Sequence, residues 1–255
     1  MYVACSTLCF GQQPLPDALR TIGEMGFTKI DVAVREGGPH LRPSQVAADV
    51  ARAVQQLRGG GGLAVAAFHA EFADGLSREE AAEQLRAVCR LARVLTTPLV
   101  SLPAAAAGGD VAAEVERLTW MARLARAEGV SLAVETRIGT LTEDPGAAVE
   151  LCRKVPGLGL ALDPSHYLVG PFHSQQLDAL FPYVQHVRLR DSSGKANQLQ
   201  VRIGQGEVEY GRIVTQLARY NYQRTLSVDI HDLPEPPYPM LPEVRKLKYL
   251  LESLI

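Results

Sequence analysis

The sequence predicts an α/β protein built as a single (β/α)8 barrel, and three observations carry that reading. Short apolar runs rich in Val, Leu and Ala alternate with longer amphipathic segments from one end to the other, the pattern of repeated strand-helix units. Eight such units fit into 255 residues, and a closed barrel of eight units takes about 250 residues. Three of the apolar runs end in an acid: Leu132-Ala133-Val134-Glu135, Leu160-Ala161-Leu162-Asp163 and Leu226-Ser227-Val228-Asp229. A parallel barrel collects its chemistry at the C-terminal strand ends, so the three tips imply one convergent polar pocket.

The strands are expected, in order, at Tyr2 to Ser6, Lys29 to Val34, Leu63 to His69, Leu99 to Leu102, Ser131 to Glu135, Gly159 to Asp163, Val184 to Leu189 and Thr225 to Asp229. A helix follows each. Gly26, the Gly59 to Gly62 cluster, Gly129 and Gly157 stand between a helix and the next strand, where a helix C-terminus commonly takes positive φ. Ser77-Arg78-Glu79-Glu80 reads as a capping box, and apolar residues recur at three- and four-residue spacing from there to Leu95. Pro242 to Ile255 closes the chain as the eighth helix. Leu233 to Pro242, rich in proline, is expected to connect into that helix, since prolines favour helix starts. Nothing resembles an interdomain linker, so residues 1–255 read as one domain.

A net charge of -2 with 47% hydrophobic and 21% charged residues gives no basic surface for tracking phosphates, so nucleic acid is not an expected partner. Cys5, Cys9, Cys89 and Cys152 lack paired spacing and read as free thiols in a reducing compartment. No stretch approaches the roughly 20 apolar residues of a membrane span, and the N-terminus lacks a basic signal-peptide region. The expected location is the cytoplasm, with no membrane partner.

In such a barrel His69, Glu135, Asp163, Arg188 and Asp229 fall at the C-terminal mouth with His166 just beyond, whereas Asp31, early in its strand, falls outside it. Three buried carboxylates require a compensating partner. Two are open: a divalent ion held by oxygen-rich ligands, or Arg188 pairing with the acids directly. Each histidine also has a plainer reading. His69 suits a hydrogen-bonded strand end and His186 a packed interior position, while His40, His173 and His231 sit in loops. Asp163 before Pro164 also permits an Asx turn. Arg190 shares a strand face with Arg188.

Gly129 to Glu135, Gly159-Leu160-Ala161-Leu162-Asp163-Pro164-Ser165-His166 and Gly204-Gln205-Gly206-Glu207-Val208 together resemble the xylose isomerase-like TIM barrels. That sugar-phosphate isomerase/epimerase family also contains endonuclease IV relatives, and the resemblance covers essentially the whole chain. It implies an isomerase or epimerase of sugars or polyol derivatives, with a small-molecule sugar or sugar-phosphate substrate and, as an open matter, an oligomeric assembly. It implies Glu135 and Asp229 as the two proton-transfer carboxylates, and Glu135, Asp163 and Asp229 as ligands of Mn, Mg, Co or Zn. Their place at the mouth makes His69, His166, Arg137 and Arg188 candidate substrate-binding groups. The chain departs from the family pattern at three strand ends. Arg188-Leu189-Arg190-Asp191 stands where the family reads His-Leu-Lys-Asp, so the ligand histidine is Arg188. Glu135-Thr136-Arg137 replaces Glu-Asn-His and makes the mouth more cationic, and Asp229 replaces the usual glutamate. Gln198 and Gln200 occupy the Asp-x-His positions of the nuclease relatives, which argues against trinuclear zinc chemistry. Two other functions remain open: a metal-free barrel binding an anionic sugar or acid without turnover, and a lyase or dehydratase using the same carboxylates.

Overall fold

The computed structural model describes residues 1–173, 177–195 and 197–255. Eight parallel strands close into one barrel in chain order: β1 Tyr2–Ser6, β2 Lys29–Arg35, β3 Ala64–Glu71, β4 Leu99–Pro103, β5 Ser131–Glu135, β6 Gly159–Leu162, β7 Val184–Leu189 and β8 Thr225–Val228. β8 returns to β1 with Tyr2 opposite Thr225 and Cys5 opposite Val228, so no strand edge is left open. The expected strands are all present, with bounds that differ by one or two residues. Asp163 and Asp229 lie one position beyond β6 and β8, and β3 runs past His69 to Glu71.

Around the barrel run α1 Leu15–Glu24, α2 Pro43–Ala48, α3 Val50–Arg58, α4 Arg78–Val94, α5 Val111–Ala127, α6 Pro145–Lys154, α7 Pro164–Val169, α8 Tyr210–Arg219 and α9 Met240–Glu252. The expectation of one helix per strand fails in two units. In the second, Asp49 breaks the helix and its side chain accepts from the Arg52 N–H to start α3. In the sixth, α7 has six residues and a short 3-10 turn at Asp178–Tyr183 follows. Elsewhere local signals act as read: Ser77 and Glu80 form both halves of a capping box at the start of α4. Gly129 and Gly157 take φ of 76° and 83° after α5 and α6, where a Cβ would be strained. Residues 233–237 are exposed and lead into α9, while Tyr238 is buried and donates to the Val201 carbonyl at 3.3 Å. Among the described residues, no helix is long and apolar enough to cross a membrane.

Most of the hydrophobic core lies between strands and helices, with all four cysteines buried in it and unpaired. Inside the barrel a separate small cluster of Ala67, Leu99, Ala133 and Ala161 forms the lower layer. Two residues further along the same strands come His69, Ser101, Glu135 and Asp163. Side chains two apart share a strand face, so these strands present an apolar residue below, alanine in three of the four, and a polar one above. The alanines leave interior volume for longer side chains from the opposite wall.

Candidate active site

β7 supplies those long side chains. His186, Arg188 and Arg190 follow one another at two-residue spacing and all three are buried. The Arg188 guanidinium spans the barrel: Nη1 donates to Glu135 Oε1 at 2.7 Å, Nε to Asp31 Oδ2 at 2.9 Å, and Nη2 to Ser101 Oγ at 3.2 Å and Asp31 Oδ1 at 3.4 Å. His186 Nε2 lies 2.7 Å from the same Asp31 oxygen. Asp31 lies below the mouth, as expected, yet Arg188 joins it to the buried charge network. It sits in the inner layer beside Ser6 and Ala67, and the Arg188 stem is long enough to reach down to it.

Arg190 builds a second layer nearer the opening. Its Nη2 pairs with Asp163 Oδ2 and lies 3.7 Å from Asp229 Oδ2. Asp163 is thus paired with Arg190, and it also caps α7, accepting from the Ser165 N–H at 3.0 Å and the Ser165 hydroxyl at 2.5 Å. Asp163 forms the expected turn and also stands in the buried charge network at the mouth. His166 reaches Asp163 Oδ2 at 3.6 Å while its Nδ1 accepts from the Ile138 N–H at 3.3 Å. His231 Nε2 lies 3.3 Å from Asp229 Oδ2, and Gln200 clamps the His231 backbone from both sides. His231 is part of the constellation despite its weak sequence signal. His40 is not: its Nε2 meets the Gln13 carbonyl.

These contacts set the charges. Burial alone would raise the Asp31 carboxyl, yet Arg188 and His186 outweigh it and hold the group below its ordinary range. Asp163 is likewise lowered against burial by Arg190 and His166. Asp229 is held well below the usual range by His231, Arg190 and Arg188, again against burial. Burial pushes His69 down, reinforced by Arg188 and Arg35, and burial also lowers His166 and His231 despite their aspartate neighbours. The mouth therefore holds ionised aspartates and neutral imidazoles at these positions.

Among the described residues, several buried polar atoms at the mouth have no hydrogen-bond partner: Glu135 Oε2, Asp229 Oδ1, His69 Nε2, Ser227 Oγ and Arg190 Nε. His69 Nε2 and Glu135 Oε2 stand 3.8 Å apart, while His69 Nδ1 meets Ser101 Oγ at 3.4 Å. Unmet buried polar atoms carry a desolvation penalty of about 1 to 3 kcal/mol each, and a hydroxylated ligand or water would relieve it. At the rim, Glu71 takes both Arg35 at 3.4 Å and Arg137 at 3.3 Å, and Arg137 also lies 3.9 Å from Glu135 Oε2. A cleft of about 530 Å³ opens beside Glu71 and Arg137, walled by Leu102, Ala105 and Ile138.

The residues present do not fit a divalent metal. Among the described residues no group of three or more His, Cys, Asp or Glu is arranged to hold one. Glu135 Oε1 faces the Arg188 guanidinium and Asp163 Oδ2 faces that of Arg190. A divalent ion could reach these oxygens only by displacing the guanidiniums that already hold them, which would strand buried charge. The expected ligand set of Glu135, Asp163 and Asp229 is therefore engaged by internal cations. Arg188, expected to bind substrate, has four N–H groups placed on protein partners. Arg190 has the unmet N–H, a role that its two-residue spacing from Arg188 and Asp163's need for a partner foreshadow.

A family model described as "Xylose isomerase-like TIM barrel" matches residues 19–250. No curated protein sequence matches the chain. A D-tagatose 3-epimerase-like protein superposes with a TM-score of 0.75 at 18% identity, covering 100% of this chain and 98% of the other. A xylose isomerase-like TIM barrel protein from Mycobacterium smegmatis, solved with magnesium, gives 0.77 at 18% identity over 100% of this chain and 98% of that one. An L-ribulose 3-epimerase gives 0.76 at 16% identity over 100% and 96%. At such identities the likeness establishes the fold, and the magnesium belongs to the mycobacterial protein. With a closed eight-stranded parallel barrel and a family match across nearly all of its length, this chain belongs to the xylose isomerase-like TIM barrel family.

Proposed function

We propose that the barrel mouth is the catalytic site of a sugar isomerase acting on a small uncharged sugar or polyol derivative, with Glu135 as the proton-transfer residue. The observation that carries this reading is Glu135 itself. It is 3% exposed, one carboxylate oxygen is locked to Arg188, and the other has no hydrogen-bond partner, lying 3.8 Å from the neutral His69 and 3.9 Å from Arg137 at the rim. An oxygen held in that state suits a C–H bond next to a carbonyl, with His69 and Ser227 left to hydrogen-bond sugar hydroxyls. Asp229, the second carboxylate of the expected pair, is held well below its ordinary range by His231 and Arg190 against burial, so it carries no proton to deliver near neutrality. Glu135 then both removes and returns the proton. A single base working on one face moves a proton between adjacent carbons, which is aldose-ketose isomerisation rather than epimerisation.

The charge count supports an uncharged substrate. Arg35, Arg137, Arg188 and Arg190 meet Asp31, Glu71, Glu135, Asp163 and Asp229, so the guanidiniums leave no positive excess for a phosphate. The more cationic mouth expected from Arg137 does not arise, because Glu71 takes that charge. The test is exchange of an α-proton in D₂O, followed by NMR over a panel of aldoses, ketoses and inososes. Exchange that Glu135→Gln reduces by about 100-fold or more supports the reading; no exchange with any sugar, or exchange unchanged in the variant, defeats it. A second reading, ligand binding without turnover, is favoured by the pairing of the buried carboxylates with arginines. Calorimetric binding of a panel sugar in the absence of any exchange would select it.

A further inference from the structure

We infer that Arg188 and Arg190 take over, within the chain, the work that a bound divalent cation would do among these carboxylates, and that Arg190 is the group that receives developing negative charge on a substrate oxygen. The inference rests on the proposed proton transfer for the second clause alone. The first stands on geometry. Between them the two guanidiniums contact all four buried acids of the interior: Asp31 and Glu135 through Arg188, Asp163 and Asp229 through Arg190. Both side chains are almost wholly buried, and their partners outweigh the burial that would otherwise discharge them.

The two arginines divide the task. Arg188 is held by Asp31, Glu135 and Ser101, and so positions the Glu135 carboxylate with Oε2 outward. Arg190 donates to Asp163 through Nη2, while its buried Nε–H has no partner. A buried guanidinium with an unmet N–H is a preorganised donor for an oxyanion. In the step concerned, the C–H bond breaks as its proton goes to Glu135 Oε2. The C–H electron pair becomes the C=C bond of an enediolate, and the carbonyl π pair moves onto oxygen, where Arg190 donates to it. Glu135 returns its proton to the former carbonyl carbon, where the C=C pair becomes the new C–H bond. The hydroxyl on the first carbon loses its proton to water as its O–H pair becomes the new C=O bond, and water protonates the former carbonyl oxygen, so Glu135 is restored and no net proton is gained or lost. No metal or other co-reactant enters the balance.

The native protein supplies the first test. Elemental analysis after purification, and calorimetric titration with MnCl₂, are expected to show no stoichiometric ion and no binding heat; a stoichiometric divalent ion overturns the inference. In the Arg188→Met/Arg190→Met variant the four acids lose their internal cations, and MnCl₂ is expected to bind and raise the melting temperature. A folded double variant that ignores Mn²⁺ overturns the claim that the guanidiniums hold the metal's place. If the double variant fails to fold, Arg190→Met alone and the native titration decide. For the catalytic clause, proton exchange in excess chelator should match that without it, and Arg190→Met should lower the exchange rate by about 100- to 1,000-fold with substrate affinity changed less. Exchange that requires Mn²⁺, or that survives Arg190→Met, overturns it. Metal binding is read without any substrate, so a failure of the isomerase reading leaves a distinct result from a failure of this one.

Discussion

Asp31→Asn tests the interior ion-pair layer most directly, because Asp31 lies below the mouth and a change there leaves the unpaired Glu135 oxygen in place. The substitution removes the charge that meets Arg188 Nε at 2.9 Å and Nη2 at 3.4 Å, and His186 Nε2 at 2.7 Å. Breaking one partner of a buried pair costs about 3 to 5 kcal/mol, since the surviving charge is stranded. Arg188 keeps Glu135 and Ser101, which points to the lower end, about 3 kcal/mol. For a chain of this size that lowers the melting temperature by roughly 6 to 12 °C. The pH dependence has a defined sign. Asp31 is held below its ordinary range, so its stabilisation is complete above the unfolded-chain value of about 3.9 and is lost as pH falls through the lower native value. Urea unfolding followed by circular dichroism should show a constant gap between native and variant from about pH 8 to 5, closing under stronger acid. A gap under about 1 kcal/mol near pH 7, or one that widens on acidification, would refute the interior pairing.

Other expectations follow from single contacts. Arg137→Ala should change stability by less than about 1 kcal/mol, because Arg137 and Glu71 are both about one-third exposed, and a urea melt checks it. Gly206→Ala should destabilise by about 1 to 3 kcal/mol in the same assay. A Cβ there would overlap Asp191 Oδ1 and approach the Ser192 carbonyl to 2.5 Å, while Asp191 is what gathers the Gly204 and Gly206 N–H groups. All four thiols are buried, and burial pushes those of Cys89 and Cys152 up to about 12, so a disulfide-exchange reagent should label none in the native protein and all four in denaturant. Rapid native labelling of any of them would contradict the packing.

The barrel was legible because local and global signals agree: apolar runs, glycines at helix ends and the Ser77 capping box each mark the same unit boundaries that the structure shows. Helix lengths were less legible, since α7 ends after six residues at Gly170, just before Pro171, and Asp49 caps a helix in mid-unit. At the site, strand-end position located Glu135, Asp163 and Asp229, but not their partners. Partnership across a barrel depends on which long side chain reaches which layer, and that is a property of the closed sheet rather than of spacing along one strand. Asp31 shows the point. Its place early in β2 suggested exclusion, and only Arg188, 157 positions away, brings it in. Arg190 shows the converse, for its two-residue offset from Arg188 put it on the right face, while its role depended on Asp163 lacking any other cation. An interior that pairs its acids with its own arginines has fixed its electrostatics during folding. What remains open for a ligand is then defined by the few atoms left unpaired, chiefly Glu135 Oε2, Asp229 Oδ1, His69 Nε2 and Arg190 Nε, and those atoms ask for hydroxyl and carbonyl groups rather than for an ion.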